Sequence, residues 1–365
     1  MTGEKRNIDS ISEDKATDAA VNNNIFTIWF EKKQDGFDAK GQGEDGVSSL
    51  ALVKLCVQSM RQKNPTRNVV LITDENVNEW LTPEDLWNSH FASASSVIDN
   101  WTKGCATLAQ ISDVLRVFLI YKYGGVYIDA TCLALADFSS FVTNWDKVNA
   151  FELRQWRGEG GGKYIEPWFS AAAAKNEFMG KLAEELTTHV MDAASYGKKK
   201  AEYLGDGMCN FPGKDVEAKE KMMSYLWITV AQLKVLKDMG KSAEDVFVLH
   251  DANEGPFLLK PATQREIGMF DDPSRAAFWP DKKMVFMSNV LLDCDSDSRI
   301  EAVLEAAKSV PFIKFNNSDR AAILNTIAGI PPAGSGNRNR IINFYHSSSL
   351  LSAIPSGCAM ARMLE

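Results

Sequence analysis

Apolar residues dominate positions 25–30, IFTIWF. The run is β-branched and aromatic and predicts a buried strand. A loop rich in Gly and Asp follows, from about 34 to 46. From 47 to 63, the positions of Val47, Leu50, Leu52, Val53, Val57 and Met60 predict a helix. It stops at Asn64-Pro65, because a residue before proline avoids the helical region. Residues 68–73, NVVLIT, predict a second short strand. Strand, helix, strand is the opening of a parallel α/β sheet. Residues 107–123, TLAQISDVLRVFLIYKY, predict a further helix, with Leu108, Ile111, Leu115, Phe118 and Leu119 on one face. Gly124-Gly125 ends it, and VYID at 126–129 predicts the next strand. Asp129 then lies at the strand's carboxyl end, where open α/β sheets bind ligands.

The pattern is less regular after residue 150. Ala150 to Leu153, Phe247 to Leu249 and Phe312 to Phe315 predict strands. Asn176 to Asp192, Glu220 to Asp238 and Asp319 to Ile327 predict helices. Residues 157–163 form a glycine-rich loop. Residues 1–24 are polar, hold no aromatic and have no apolar core of a secretory signal, so they read as a flexible tail. No internal repeat or composition break divides residues 25–365, which read as one domain with an elaborated second half. A prior of roughly 150 residues per domain therefore overstates the division of this 365-residue chain.

Composition narrows the class. The chain is 45% hydrophobic and 24% charged, which is ordinary for a globular protein. No run approaches the ~20 apolar residues that span a bilayer, although peripheral membrane contact stays open. The net charge of −8 disfavours nucleic acid as a partner. The six cysteines are widely spaced and form no C-x-x-C pair, which fits a reducing compartment and a cytoplasmic location.

The chemistry concentrates between Ile111 and Thr131. Asp113 and Arg116 are three apart on a helix that is apolar nearly all round, so they share a face and are buried. Desolvation makes a buried pair a poor source of stability. Either it holds a polar ligand, or it ties helix to sheet. Asp129 can offer oxygen to a divalent cation, with Thr131 two residues on as a weaker, neutral ligand. Equally, Asp129 can cap a turn and Thr131 can be a strand residue.

Taken as one string, Ser112, Asp113, Arg116, Ile120, Gly124, Gly125, Tyr127, Asp129 and Thr131 resemble a family hallmark. It is S-D-x-x-R-x-x-x-L-x-x-x-G-G-x-Y-x-D-x-D, from glycosyltransferases with an Asp-x-Asp sugar-binding motif. The resemblance is to the capsular polysaccharide synthesis branch, in which Asp-Ala-Thr after the Gly-Gly strand is common. IFTIWF at 25–30, LVKLCVQSMRQKNP at 52–65, VVLIT at 69–73 and PWFSAAAAKNEF at 167–178 resemble that branch as well.

The resemblance implies a GT-A fold, a Rossmann-like mixed sheet flanked by helices. It also implies a nucleotide-diphosphate sugar donor, a glycan or glycan-lipid acceptor, retention of anomeric configuration and Mn2+ or Mg2+. By position, Trp29 would lie against the nucleobase. Asp113 and Arg116 would bond the donor sugar or ribose, and Asp129 would reach metal or ribose. Thr131 departs from the motif and removes one negative charge from the metal site. His346, in INFYHSSSLLS, is the candidate late metal ligand, and Glu166, near Trp168, would face the acceptor. His90, His189 and His250 read as structural. Two other readings stay open: a catalytically weak binder of nucleotide sugars or glycans, and a toxin-like protein glycosyltransferase.

Overall fold

The computed structural model describes residues 23–30, 50–104, 107–152, 163, 165–190, 227–252, 254–257, 291–292, 294, 297–327 and 354–364. The strands are β1 (Asn24–Ile28), β2 (Asn68–Ile72), β3 (Gly125–Ile128), β4 (Cys132–Ala134), β5 (Val148–Glu152), β6 (Ile165–Ala172), β7 (Phe247–Asp251) and β8 (Phe312–Lys314). The helices used below are α1 (Leu50–Lys63), α2 (Ala94–Gly104), α3 (Leu108–Tyr123), α4 (Glu177–Val190), α5 (Trp227–Met239), α6 (Asp297–Ala307), α7 (Asn317–Ile327) and α8 (Ala359–Leu364).

Six strands form one mixed sheet in the order β2-β1-β3-β6-β5-β7. β1 pairs in parallel with both β2 and β3, while β6 runs antiparallel to β3 and β5. The chain leaves β1 to one side for β2 and returns on the other side as β3. That reversal makes the carboxyl ends of β1 and β3 a switch point, where such sheets open a crevice.

Both faces of the sheet are buried, which is why its strands read as almost continuous apolar runs. Phe26, Val70 and Tyr127 pack on one face beneath α3, α4 and α5. Their neighbours Ile25, Val69 and Val126 pack on the other face with Val53, Val57 and Met60 of α1. The period of two follows from the pleat. Fully burying a side chain of this size contributes roughly 1.5–3 kcal/mol.

The second, two-stranded sheet pairs β4 with β8. It is backed by a separate core in which Leu52 and Cys56 of α1 meet Ile300, Val303, Ile313, Phe315, Ile323 and Met360. Both the α1 and β2 expectations hold within the described residues. The expected strand at 126–129 starts one residue earlier and ends before Asp129. β6 was not expected as a strand, nor were α2 and α6 as helices. No helix among the described residues is long and apolar enough to cross a membrane. Cys56, Cys132, Cys294 and Cys358 are free thiols, and burial pushes that of Cys56 up to about 12.

Candidate functional site

The site starts with the way α3 is delimited. Thr107 caps it: its hydroxyl accepts from Gln110 N–H, while Gln110 Oε1 accepts from Thr107 N–H at 2.9 Å. This reciprocal box satisfies two amino-end donors. Gly124 closes the other end at φ 66°. Gly125 follows at φ 95°, and a Cβ there would stand 2.5 Å from the Asn24 carbonyl oxygen. Only glycine lets β3 enter this close to β1.

The turn brings α3 back over the strand it precedes, so Arg116 lies above Tyr127. The guanidinium carbon is 4.6 Å from the Tyr127 ring centroid. Arg116 Nε donates to Ser112 O at 3.1 Å, and Nη1 to Pro167 O on β6 at 2.8 Å. Nη2 donates to Ser112 Oγ at 2.7 Å. It also lies 3.0 Å from Asp113 Oδ1 and 3.5 Å from Asp129 Oδ1. The second Asp113 oxygen accepts from Trp227 Nε1–H of α5 at 2.8 Å.

Asp129 follows β3 immediately. Its N–H donates to Trp168 O at 2.9 Å, which holds the residue against β6. Tyr127 O–H donates to Asp129 Oδ1 at 2.8 Å. The other oxygen meets Lys314, the last residue of β8: Nζ donates to Asp129 Oδ2 at 2.7 Å and to Thr131 Oγ1 at 2.8 Å. Register fixes that lysine. Cys132 pairs with Lys314, and Phe315 N–H donates to Thr131 O at 2.9 Å.

Burial and charge pull against each other here. Burial raises the Asp113 carboxyl to about 6, although Arg116 and the Trp227 bond oppose it. Burial also pushes Asp129 up, but Lys314 and Arg116 outweigh it and leave the carboxyl below its usual value. Lys314 is held above the ordinary ammonium value: burial lowers it and Asp129 more than compensates. Asp113, Asp129, Arg116 and Lys314 are therefore a charged quartet at neutral pH. The Asp129 side chain is its most accessible member, 25% exposed, against 7% for Arg116 and 9% for Lys314.

A family model for capsular polysaccharide synthesis proteins matches residues 4–261. The chain belongs to that family. No curated protein sequence matches it. Among solved structures, one described as "PaToxG Glycosyltransferase" is similar at 15% identity and a TM-score of 0.30, covering 59% of this chain and 78% of that one. A second, described as "Structure of Transferase", is similar at 12% identity and a TM-score of 0.22, covering 54% and 92%.

In this family member, four of the expected site residues converge: Asp113, Arg116, Asp129 and Thr131. Trp29 stands just past β1, half-buried, with the Arg320 guanidinium 5.3 Å from its ring centroid. Arg320 comes from the first turn of α7 and acts electrostatically on both Asp129 and Lys314. Glu166 lies on β6 opposite Phe151, one residue before the carbonyl that holds Arg116. Trp168 is buried and stacks on Phe151 at 5.1 Å. His250 packs against Phe141 and Phe151. His346 lies outside the described residues.

The metal implied by the resemblance does not fit these side chains as they stand. Its ligands were to be Asp129, Thr131 and His346. Lys314 occupies both Asp129 Oδ2 and Thr131 Oγ1, and Tyr127 donates to Asp129 Oδ1. Among the described residues no three His, Cys, Asp or Glu side chains cluster to hold an ion.

Sequence reasoning missed Lys314, Arg320, Trp227 and the Tyr127 hydroxyl. One signal was present for Lys314. A lysine inside the apolar run FIKF is a charge in a buried strand, and such a charge needs a partner.

Proposed function

We propose that this family member is a glycosyltransferase that moves one sugar from a nucleotide-diphosphate sugar to a hydroxyl of a glycan or glycan-lipid. The observation that carries the reading is the buried quartet Asp113, Arg116, Asp129 and Lys314 at the switch point of the sheet. Membership of a capsular polysaccharide synthesis family supports it. So does the motif string, which also underlies the GT-A assignment and the retention of configuration proposed with it. The reading keeps a cytoplasmic location.

In the reaction, the acceptor oxygen bonds to the anomeric carbon as the bond from that carbon to the diphosphate oxygen breaks. The electron pair leaves with the diphosphate, and the hydroxyl proton is released. The largest electrostatic change is the charge growing on the leaving diphosphate, and preorganised cations stabilise such charge. Arg116 is preorganised, since five acceptors and a ring face fix its guanidinium. Asp113, the more buried carboxylate, is a positioning residue: its oxygens meet Arg116 and Trp227. Asp129, the most exposed of the four, is the group that reaches the donor. Trp29, whose ring meets Arg320, is kept as the candidate for the base, and Glu166 as the acceptor-side candidate.

The test is nucleotide release from UDP-, GDP- and dTDP-sugars in the presence of glycan acceptors. Release should occur with one of them and fall roughly a hundredfold or more in Asp129→Asn. Binding without release would favour a nucleotide-sugar binding protein. Absence of both binding and release would overturn the reading.

A further inference from the structure

We propose that the Lys314 ammonium takes the place of the divalent cation, so that a nucleoside diphosphate binds this site without metal. The proposal rests on the donor-site reading above and specifies how that site meets a diphosphate.

Position is the first argument. In the motif string, the two residues flanking Ala130 would hold a metal between them. Lys314 Nζ sits between those same side chains, 2.7 Å from Asp129 Oδ2 and 2.8 Å from Thr131 Oγ1. A divalent ion held by both oxygens would stand against the like charge of the ammonium already between them.

Charge is the second. Two carboxylates would balance a divalent ion. Asp129 with the neutral Thr131 balances one positive charge, which is what an ammonium carries. Thr131 and Lys314 therefore explain each other: the residue that departs from the motif accepts a hydrogen bond from the residue that replaces the ion. Burial opposes the charged amine, and Asp129 overcomes that opposition.

Delivery is the third. Lys314 ends a strand whose backbone is tied on both sides, by its pairing with Cys132 and by its own N–H to Pro256 O at 3.2 Å. An ammonium has three donors. Asp129 and Thr131 take two, and among the described residues the third has no partner. Arg116 lies against both carboxylates, and Arg320 acts electrostatically on Asp129, so a diphosphate reaching the third donor meets further cations.

The experiment measures binding of UDP, GDP and dTDP to the full chain by calorimetry, in EDTA and again with Mn2+. One of them should bind in EDTA, with a dissociation constant within about threefold of its value in Mn2+. Lys314→Ala should weaken that binding at least tenfold, and Lys314→Arg should retain most of it. The double variant Lys314→Ala/Thr131→Asp should recover binding only with Mn2+, and its electron paramagnetic resonance spectrum should show protein-bound Mn2+. Nucleotide binding by the unaltered chain only when Mn2+ is present would overturn the proposal and leave the donor site intact. So would a bound Mn2+ signal that competes with Lys314 in the unaltered chain. Failure of all three nucleotides under both conditions would instead remove the donor-site reading itself. The unaltered chain decides between these outcomes even if a variant fails to fold.

Discussion

The site draws on two regions built in different ways. From the six-stranded sheet and α3 come Asp113, Arg116, Tyr127 and Asp129, all within one stretch of chain. From the β8–α7 connection come Lys314 and Arg320, and Lys314 stands 185 residues from the carboxylate it pairs with. In the first region Asp113 and Arg116 are boxed in by α3, β6 and α5. In the second, the cations arrive by strand pairing and stand against the most exposed carboxylate. The difference suggests a division of labour: the first region builds a rigid, self-satisfied frame, and the second sets the charge that a ligand meets.

The sharpest way to break that comparison is to remove Arg116. Arg116→Met would leave Asp113 buried with only the Trp227 donor, and Asp129 without its nearer guanidinium. Breaking a buried pair from one side costs about 3–5 kcal/mol. Urea denaturation should show a loss of that size. A loss below about 1 kcal/mol would mean that the pair behaves like a surface ion pair and that the frame is not one.

Removing Lys314 should cost less. Asp129 keeps the Tyr127 hydroxyl and Arg116, and its exposed quarter can take water. A hydrogen bond to a charged group contributes about 1.5–3 kcal/mol, so Lys314→Met should fall in or below that range. Nucleotide binding should suffer more than stability. If Lys314→Met proves as destabilising as Arg116→Met, the second region is structural too and the division fails.

The same contrast separates what the sequence made legible from what it hid. α3 and β3 are encoded locally, by a capping box, an apolar helix and two glycines, and the residues that matter lie within 19 positions of Asp113. A periodic pattern can reveal that. β6, which the sequence reading did not expect, carries Pro167, a residue that argues against a strand at the centre of a sheet. The proline is tolerated because it falls in the register irregularity between β5 and β6, where its missing N–H breaks no regular ladder, and its carbonyl serves Arg116. Lys314 was hidden for another reason. Its partner is set by which strand β8 pairs with, and no short-range pattern carries that. Thr131 read as a departure from the motif, and the lysine from which it accepts was out of view.

Trp227 tests the frame more gently. Trp227→Phe keeps most of the packing on α5 but takes the donor from Asp113 Oδ2. Leaving that oxygen unsatisfied costs about 1–3 kcal/mol. It should also move the Asp113 carboxyl higher, since the lost bond was one of the two influences holding it down. An unchanged Asp113 titration, followed by NMR of the side-chain carboxyl, would remove Trp227 from the frame.

The pH dependence of stability distinguishes the two carboxylates by sign. Burial raises Asp113 from 3.8 to about 6 in the folded chain. Between those values the folded chain holds a proton that the unfolded chain has released. Its contribution is therefore complete below about pH 4 and is lost as pH rises through 6. Asp129 runs the other way. Lys314 and Arg116 hold it below 3.8 despite burial, so its contribution is present above pH 4 and is lost as pH falls through the folded value. Urea melts of the unaltered chain and Asp113→Asn across pH 4–7 isolate the first effect. The stability difference between them should shift against the unaltered chain as pH rises from 4 to 6, then level off. A difference that stays flat over that window would mean that Asp113 titrates as an ordinary carboxylate. The frame around Arg116 would then be as open to water as the Asp129 side, and the two regions would no longer differ in kind.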